Sequence, residues 1–406
     1  MFSDRARHSG SVSSRNRKDG RPYRVTELFS GIGAQRMSLI QEGIPHEVVG
    51  TSEIDTHAIR SYEAIYGDNP NLGDITGLGS IPDSDILTYS FPCTDLSLAN
   101  PRKTGMARGA NERSSLLWEV QRLLDNAASE GNLPEWLVME NVPAVFSKAN
   151  RADFDEWVSY LDSLGYTSEY GTLNAKDFGV PQNRNRAYMI SHLGDYCPPL
   201  PVGHESGKVL GDILEEDVPE RYYLSKARLK GLETSNRKEI EAGNGFFRFR
   251  PKTPNDVAST VTTRAGSRKT DNFVYQDRCH QIGTADGITG FDCLKRVYAP
   301  DGLSPTVVTG SGGNTLPKVS EDGARIRKLT PRETWRLQGF PDWAFDRAKD
   351  IGTSDTQLYH QAGNSIAVPV MGAIMRTIDD YEVADMEGRA PRGKRRVTLE
   401  QWGDAR

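Results

Sequence analysis

Residues 24–43, RVTELFSGIGAQRMSLIQEG, carry the sequence pattern that most clearly indicates the fold class. The stretch opens with a short apolar run, passes through a turn that contains Gly31 and Gly33, and continues in a helical pattern. A strand, a glycine turn and a helix in this order are the opening unit of a doubly wound α/β domain. Because the helix begins at the turn and glycine has no Cβ atom, backbone N–H groups there can be approached closely by a cofactor.

Further βα units follow this opening. Short apolar runs bounded by polar or turn residues predict strands, and helical stretches such as SSLLWEVQRLLDNAA and FDEWVSYLDSLG separate some of them. The predicted strands are EVVGTSEI, DSDILTYSF, EWLVMENV and RNRAYMISHL. This alternation predicts a doubly wound α/β fold with a mostly parallel, buried sheet.

The pattern changes near residue 193, where glycine, proline, threonine and short β-like runs begin to dominate. We therefore expect a second, smaller, β-rich domain, after which helical sequence returns to complete the first domain. The two ends of the chain are basic and are expected to be flexible tails. The predicted division is 1–22 (tail), 23–193 (first domain), 194–326 (second domain), 327–385 (return segment) and 386–406 (tail).

The composition excludes several functional classes. The 406 residues include 26% charged residues, and no apolar run approaches the ~18 residues of a membrane span. The four cysteines form no C-x-x-C pair, which argues against a disulfide framework and against a metal site. They are Cys93, Cys197, Cys279 and Cys293. We expect a cytoplasmic protein, and the net charge of −5 does not by itself indicate a nucleic-acid partner.

Reactive side chains follow several predicted strands, at the edge where open α/β sheets bind ligands. Cys93 comes after the run ILTYSF and a proline, and Glu140 ends the run EWLVME. Gln182, Arg184 and Arg186 alternate in QNRNR, and a single strand would aim all three toward one face. A cysteine, a carboxyl group and arginines at one edge predict an active centre with a nucleophile.

Two acidic residues follow the glycine turn along the chain. Glu53 could accept hydrogen bonds from a ribose diol, and Asp74 could accept one from an exocyclic amine. Taken singly, each is more often a helix N-cap or a turn residue. Arg36 stands where the full G-x-G-x-x-G fingerprint requires glycine, which argues against a dinucleotide.

Six motifs, in this order, resemble the DNA (cytosine-5)-methyltransferase family of bacteria and phages. They are ELFSGIGAQRMSL, SFPCTDLS, MENV, QNRNRAYMI, LTPRETWRLQGFPD and QAGNSIAVPV, and the resemblance spans residues 24–380. It implies a class I, Rossmann-like methyltransferase fold with a target-recognition domain at 194–326. It also implies transfer of a methyl group from S-adenosylmethionine to carbon 5 of a cytosine, flipped out of a specific short sequence of double-stranded DNA.

The resemblance further implies roles for individual residues. Cys93 as a thiolate would add to C6 of cytosine, Glu140 would bind and protonate N3, and Arg184 would bind O2. Residues 94–113 would form a lid, and Thr94 stands where the family usually has glutamine. The implied cofactor ligands are Phe29, Gly31, Ile32, Gly33, Glu53, Asp74, Leu116, Asn364 and Ile366. Gln182 and Arg186 are expected to support the pocket without taking part in the reaction.

Two alternatives keep the same architecture. A tRNA cytosine-5 methyltransferase is one, although a recognition segment rich in Thr and Gly favours the grooves of duplex DNA. A catalytically silent DNA-binding regulator is the other, and the presence of Cys93, Glu140 and Asn364 argues against it. We expect a monomer, because one flipped base needs one active site. A companion restriction endonuclease that acts separately is a further partner that the resemblance leaves open.

Overall fold

The computed structural model describes residues 20–67, 70–92, 116–243, 249, 251–263, 271–275 and 326–393, and the strands at 281–284, 296–298 and 318–319. The described residues form two compact units. The first unit contains the residues up to Leu173, those of Asn185–Gly203 and those from Val368 onward. The second contains Asn174–Arg184 and His204–Ala367.

A six-stranded sheet, counted over the described residues, is the centre of the first unit. Its strands are β1 (Tyr23–Leu28), β2 (His46–Ser52), β3 (Ile86–Tyr89), β4 (Trp136–Asn141), β5 (Tyr166–Asn174) and, after β6 (Gln182–Asn183) of the second unit, β7 (Asn185–Leu193). The order across the sheet is β2-β1-β3-β4-β7-β5. Strands β1 to β4 pair in parallel, and β7 runs antiparallel to β4. The predicted doubly wound, mostly parallel sheet is confirmed.

Helices connect these strands and supply the core. They are α1 (Ala34–Glu42), α2 (Thr56–Tyr66), α3 (Leu117–Glu130) and α4 (Arg151–Ser163), and the last helix of the chain, α9 (Val368–Met386), packs against α1. Leu123 of α3 and Trp157 of α4 are buried in one cluster with Leu137 of β4. In the described part of the chain, no helix combines the length and the apolar character that a membrane crossing requires.

The strand order reverses beside β1. The chain passes from β1 outward to β2 and then returns to the other side of β1 to form β3. At such a reversal the connections leave the sheet in opposite directions, and a crevice opens at the carboxyl ends of the two strands. The glycine turn after β1 therefore begins at the place where open α/β sheets bind ligands.

The second unit combines helices with short strands. The helices are α5 (Lys226–Glu241), α6 (Pro331–Leu337), α7 (Asp342–Asp350) and α8 (Asp355–Asn364). Strand β6 pairs with β8 (Ala258–Ser259), β9 (Phe273–Tyr275) pairs with β13 (Ile326–Lys328), and β10 (Gln281–Thr284), β11 (Arg296–Tyr298) and β12 (Lys318–Val319) form a three-stranded sheet. Short strands thus occur in 194–326, and the role of this segment in target recognition stays a prediction.

The boundaries of the units differ from the predicted domain boundaries. The chain returns to the first unit at Val368 and not at residue 327, because α6 is tied to second-unit segments, for example by the hydrogen bond from Gln182 Nε2 to Leu337 O at 2.7 Å. Residue 21 does not belong to a tail: Arg21 donates to both carboxylate oxygens of Asp85, at 2.7 and 2.9 Å. Residues 1–19 and 394–406 lie outside the described residues.

A buried ion pair fixes the start of α6 in the second unit. Arg327 donates from both terminal nitrogens to the carboxylate of Glu333 at 2.8 Å each, and the two side chains are 1% and 0% exposed. The same carboxylate accepts the N–H groups of Thr330 and Glu215, at 2.7 and 2.8 Å. Thr330 and Glu333 form a capping box, and Pro331 occupies the first helical position. The buried charges are therefore paired and hydrogen-bonded.

Replacing Glu333 by leucine leaves the Arg327 guanidinium buried without its carboxylate. We expect Glu333→Leu to lower the free energy of unfolding by about 3–5 kcal/mol. The double variant Arg327→Met/Glu333→Leu removes both charges and should lose less than the single variant. Urea unfolding followed by tryptophan fluorescence measures both, and a double variant as unstable as Glu333→Leu or more so would contradict this account.

Candidate active site

The glycine turn after β1 has a backbone shaped for close approach. Phe29, Gly31 and Gly33 have φ angles of 58°, 55° and 75°. This left-handed region is unusual for phenylalanine, and such strained residues occur preferentially at ligand sites. A Cβ atom on Gly31 would meet no atom within 4 Å, whereas one on Gly33 would lie 2.6 Å from the rings of Tyr62 and Tyr66. The missing Cβ of Gly33 therefore accommodates protein side chains, and only the space at Gly31 is open to a ligand.

Glu53, which follows β2, contacts the glycine turn directly. Its Oε2 accepts the N–H of Gly31 at 2.9 Å, and its Oε1 accepts the N–H groups of Ile54 and Asp55 at 2.8 and 2.9 Å. Asn71 holds the backbone of Glu53 through Nδ2, which donates to Glu53 O at 3.2 Å. A carboxylate has about four lone-pair positions, so this one retains capacity to accept hydroxyl groups.

Asp74 lies on a turn that is fastened to the end of β2. Ser52 Oγ donates to Gly73 O at 2.7 Å. Asp74 is exposed and caps the short turn Ile75–Gly77, where its Oδ1 accepts both the N–H and the hydroxyl of Thr76 at 2.9 Å. Both hydrogen bonds end on Oδ1, so among the described residues Oδ2 keeps its lone pairs for a ligand. Asp74 is thus a cap residue that can still act as an acceptor.

The apolar residues near the turn differ in what they can offer a ligand. Ile32 is 2% exposed, so its side chain belongs to the core and only its backbone can face a cofactor. Phe29 and Leu116 are half-buried and pack against the same core cluster, and Leu116 immediately precedes α3. Ile54, which sequence reasoning missed, is 70% exposed. Its position directly after Glu53 is the signal that could have marked it as an exposed apolar side chain beside the candidate site.

A buried polar cluster adjoins the glycine turn. Tyr62 donates to the buried carboxyl group of Glu27 at 2.8 Å, and Tyr66 donates to Gly33 O at 2.5 Å. The Arg36 guanidinium lies 4.8 Å from the centre of the Tyr66 ring, a cation–π contact. Burial raises the pKa of Glu27 to about 7, against the opposing effects of the Tyr62 hydrogen bond and of Arg36. The cluster attaches α2 to the turn, and sequence reasoning did not detect it.

Cys93 lies outside the described residues, as do Thr94 and the predicted lid at 94–113, but the chain is described up to Pro92. The carbonyl of the buried Phe91 accepts a hydrogen bond from Asn141 Nδ2 at 3.0 Å. Asn141 ends β4, which pairs in parallel with β3. The backbone two residues before Cys93 is therefore fixed at the carboxyl edge of the sheet.

Among the described residues, Cys197 is a buried free cysteine. Its thiol donates to Ile190 O at 3.4 Å, and burial raises its pKa. A thiolate is the reactive form of cysteine, so Cys197 is a poor nucleophile. Cys279 and Cys293 lie outside the described residues.

Glu140 lies beside Arg186. The Arg186 Nε is 3.4 Å from Glu140 Oε1, and the two side chains are 17% and 11% exposed. Glu140 is opposite Tyr188 in the antiparallel pairing of β4 with β7, so Arg186 is its diagonal neighbour on the same face. A carboxyl group and a guanidinium thus meet at the strand end that carries Asn141.

Arg184, in contrast, binds backbone carbonyls of the second unit. Its guanidinium, on a residue that is 3% exposed, donates to Val261 O, Gly363 O and Ser365 O at 3.2, 3.2 and 2.7 Å. The N–H of Arg184 donates to Gln182 O at 2.9 Å. This tight turn separates β6 from β7, so the prediction that QNRNR forms one strand is wrong.

The remaining predicted cofactor residues belong to the second unit. Asn364 ends α8 and is exposed, and its Nδ2 lies 3.4 Å from Nδ1 of His360. Ile366 is buried, so only its backbone is available to a ligand. Asn364 can therefore contact a ligand through its side chain, whereas Ile366 can do so only through its backbone.

In the part of the chain that the structure describes, one group of side chains has a spacing that could suit a metal ion. It consists of Glu135, His192 and Glu382, whose ligand atoms lie within 4.8 Å of one another. Trp136 Nε1 donates to Glu382 Oε1 at 3.0 Å, and the His192 ring stacks on Trp136 at 4.2 Å between centroids. The cluster joins the start of β4, the end of β7 and α9, away from the carboxyl edge of β4.

A family model described as C-5 cytosine-specific DNA methylase matches residues 23–380. The chain belongs to this family. The match includes every predicted site residue, and the expectation of a DNA (cytosine-5)-methyltransferase is confirmed.

Curated relatives of this methylase cover most of its length. The type II methyltransferase M2.ScrFI of Lactococcus lactis subsp. cremoris is 31% identical, over 87% of this chain and 98% of that protein. The orphan methyltransferase M.SssI of Spiroplasma monobiae is also 31% identical, over 87% and 97%.

Two solved methyltransferases share its fold. EhMeth of Entamoeba histolytica has a TM-score of 0.63 at 19% identity, over 89% of this chain and 98% of that one. Dnmt2 of S. pombe has a TM-score of 0.59 at 20% identity, over 88% and 98%. At these identities the likeness concerns the fold alone.

The buried carboxyl group of Glu27 should make the stability of the methylase depend on pH. Its folded-state pKa is raised from 4.5 to about 7. The protonated carboxyl group therefore makes its full contribution to the stability of the fold below pH 4.5, and this contribution is lost as pH rises through 7. The ionised form costs on the order of 3 kcal/mol. Relative to wild type, Glu27→Gln should therefore gain stability as pH rises from 5 to 8.

Denaturant unfolding of both proteins at several pH values measures this effect. Glu47→Gln removes an exposed carboxyl group from β2 and is the matched control. A stability difference between Glu27→Gln and wild type that stays constant with pH would contradict the assignment.

Proposed function

We propose that this methylase transfers a methyl group from S-adenosylmethionine to carbon 5 of a cytosine within a short, specific sequence of double-stranded DNA. The observation that carries the proposal is the pair of Glu140 and Arg186, 3.4 Å apart at the end of β4. The neighbouring Asn141 is hydrogen-bonded to the segment that leads into Cys93. An acid, a cation and a cysteine are the groups that nucleophilic attack on a pyrimidine ring requires.

The residues around the glycine turn fit S-adenosylmethionine, which supplies an electrophilic methyl group on a sulfonium. The open space at Gly31 admits a ligand beside the backbone, and the Glu53 carboxylate retains lone pairs for ribose hydroxyl groups. Ile54 offers an exposed apolar surface, and Asp74 Oδ2 offers an acceptor for an exocyclic amine. We also propose, from the family motifs, that Phe29, Leu116, Asn364 and the backbones of Ile32, Gly33 and Ile366 contact the cofactor.

Carbon 5 of cytosine is a poor nucleophile, and the role of Cys93 is to activate it. The Cys93 thiolate forms a bond to C6, and the electron pair of the C5–C6 double bond becomes available at C5. C5 then bonds to the methyl carbon, whose former bond to sulfur breaks with its electrons staying on sulfur. A solvent water molecule accepts the C5 proton, the electrons of the C5–H bond re-form the C5–C6 double bond, and the thiolate leaves C6 with the electrons of the C–S bond. The proton on N3 then returns to the Glu140 carboxylate, which restores neutral, aromatic 5-methylcytosine.

Glu140 and Arg186 share the work of stabilising the ring during the attack. Glu140 donates a proton to N3, which makes C6 more electrophilic, and its own ionised form is then stabilised by the nearby guanidinium. Arg186 also binds O2, where negative charge develops. We assign this role to Arg186 instead of Arg184, because Arg186 neighbours Glu140 and the Arg184 guanidinium is bound to three carbonyl groups.

Access to the base requires flipping, because C5 and C6 are stacked inside a duplex, and unstacking costs a few kcal/mol. We propose that residues 94–113 close over the flipped base and that 194–326 reads the sequence. Arg102, Lys103, Arg108 and Arg113 are the proposed phosphate contacts of the lid. A companion endonuclease stays a prediction, since the names of relatives include both type II and orphan methyltransferases. The monomeric state also stays a prediction.

Bisulfite sequencing of plasmid DNA from cells that express the protein tests this function. We expect protected cytosines in one short recurring motif, and no protection with Cys93→Ala, because the thiolate is then missing. Purified Cys93→Ala should still bind S-adenosylmethionine and DNA. Protein that binds S-adenosylmethionine but protects no plasmid cytosine would contradict DNA as the substrate, and protection by Cys93→Ala would contradict the nucleophile.

The role of Arg186 predicts a defect in chemistry and not in cofactor binding. Arg186→Met should lower the single-turnover rate of methyl transfer by about 10²–10³-fold, while the S-adenosylmethionine Kd measured without DNA stays near that of wild type. Arg60→Met, at an exposed position of α2, is the matched control. An Arg186→Met enzyme with a wild-type single-turnover rate would show that another group binds O2.

A further inference from the structure

Two distant segments of the second unit, at Val261 and at Gly363–Ser365, meet at the side chain of Arg184. Its Nη1 donates to Val261 O at 3.2 Å, and its Nη2 donates to Gly363 O and Ser365 O at 3.2 and 2.7 Å. The residue is 3% exposed, so these bonds are shielded from water. A guanidinium in this position fixes the geometry of all three carbonyl groups at once.

Gln182 strengthens the same junction. Its Oε1 accepts the N–H of Val261 at 2.9 Å, and its Nε2 donates to Leu337 O at 2.7 Å. Val261 is thus held through its N–H by Gln182 and through its carbonyl by Arg184.

The segments are also in direct backbone contact. A Cβ atom on Gly363 would lie 2.3 Å from the backbone nitrogen of Thr263 and 2.5 Å from the carbonyl carbon of Thr262. Only glycine allows α8 to end this close to residues 261–263. A displacement of one segment must therefore move the other.

The two carbonyl groups that Arg184 Nη2 binds belong to the residues on either side of Asn364. We propose that Arg184 is a positioning residue, which fixes the backbone on both sides of Asn364, a proposed cofactor residue, and couples it to the Thr262–Thr263 segment. That segment lies in the stretch assigned to target recognition, so Arg184 links a sequence-reading segment to a proposed cofactor residue. This inference rests on the proposed use of S-adenosylmethionine.

An arginine is required for this role, because lysine has a single nitrogen on a flexible stem and cannot hold three carbonyl groups in a fixed fork. Arg184→Lys leaves at least one buried carbonyl without its charged donor. We expect S-adenosylmethionine to bind about ten-fold more weakly, the effect of one lost charge-assisted hydrogen bond. The single-turnover rate at saturating cofactor should change much less.

Calorimetric titration of the full chain with S-adenosylmethionine, without DNA, makes the test. Asn364→Ala should lower the affinity for S-adenosylmethionine by a similar factor. The double variant Arg184→Lys/Asn364→Ala should bind S-adenosylmethionine no more weakly than the single variant with the lower affinity, because both substitutions act through one side chain. Additive losses in the double variant would overturn the inference. So would an Arg184→Lys protein with unchanged cofactor affinity and a low single-turnover rate, which would assign Arg184 to the target base.

Hydrogen exchange on the wild-type protein tests the same inference and does not require any variant to fold. Addition of S-adenosylmethionine should slow amide exchange in residues 363–367 and, through Arg184, also in 258–263. Protection confined to 363–367 would overturn the coupling while leaving the proposed function intact. Wild-type protein that binds no S-adenosylmethionine would instead overturn the proposed function, and this inference with it.

Discussion

The parallel pairing of β1 between β2 and β3 is the constraint on which the candidate site depends. Parallel strands end at the same edge of a sheet, and the reversal of strand order beside β1 opens a crevice at that edge. The hydrogen bond from the Gly31 N–H to Glu53 joins the ends of β1 and β2. The one from Asn141 to Phe91 joins the ends of β4 and β3. Residues far apart in sequence are thereby held at one sheet edge.

Burial separates the charges that maintain the scaffold from those available for chemistry. Glu333 with Arg327, and Arg184 with its three carbonyl groups, are almost completely buried and hydrogen-bonded. Their removal would leave unsatisfied polar groups, so they stabilise one arrangement of the chain. The side chains of Glu140 and Arg186 are less completely buried, at 11% and 17% exposed, and lie 3.4 Å apart, so a ligand could replace this contact. Motif arginines two residues apart therefore have different partners.

The sequence alone was sufficient to predict most strands of the sheet and many of the residues that lie at its carboxyl edge. Short apolar runs bounded by polar or turn residues identify β1 to β4, and β3 and β4 are buried along their whole length, as is typical of parallel strands. Strand β5, YTSEYGTLN, was missed because it mixes tyrosines with polar residues, and only Tyr166, Glu169 and Gly171 are buried. The signals for Glu53 and Asp74 were weak singly, and the Gly31 contact of Glu53 is visible only in three dimensions. Alternation in QNRNR could not reveal the turn at Asn183 that directs Arg184 and Arg186 to different partners.

The proposed mechanism requires a covalent bond between Cys93 and C6 of the target cytosine. A duplex that carries 5-fluorocytosine at the methylated position tests it most directly, because fluorine replaces the proton that must leave C5 and the adduct cannot be resolved. In the presence of S-adenosylmethionine, we expect a protein–DNA complex that survives denaturation, with the nucleotide on the peptide that contains Cys93. No stable complex, or attachment at Cys279 or Cys293, would contradict the account.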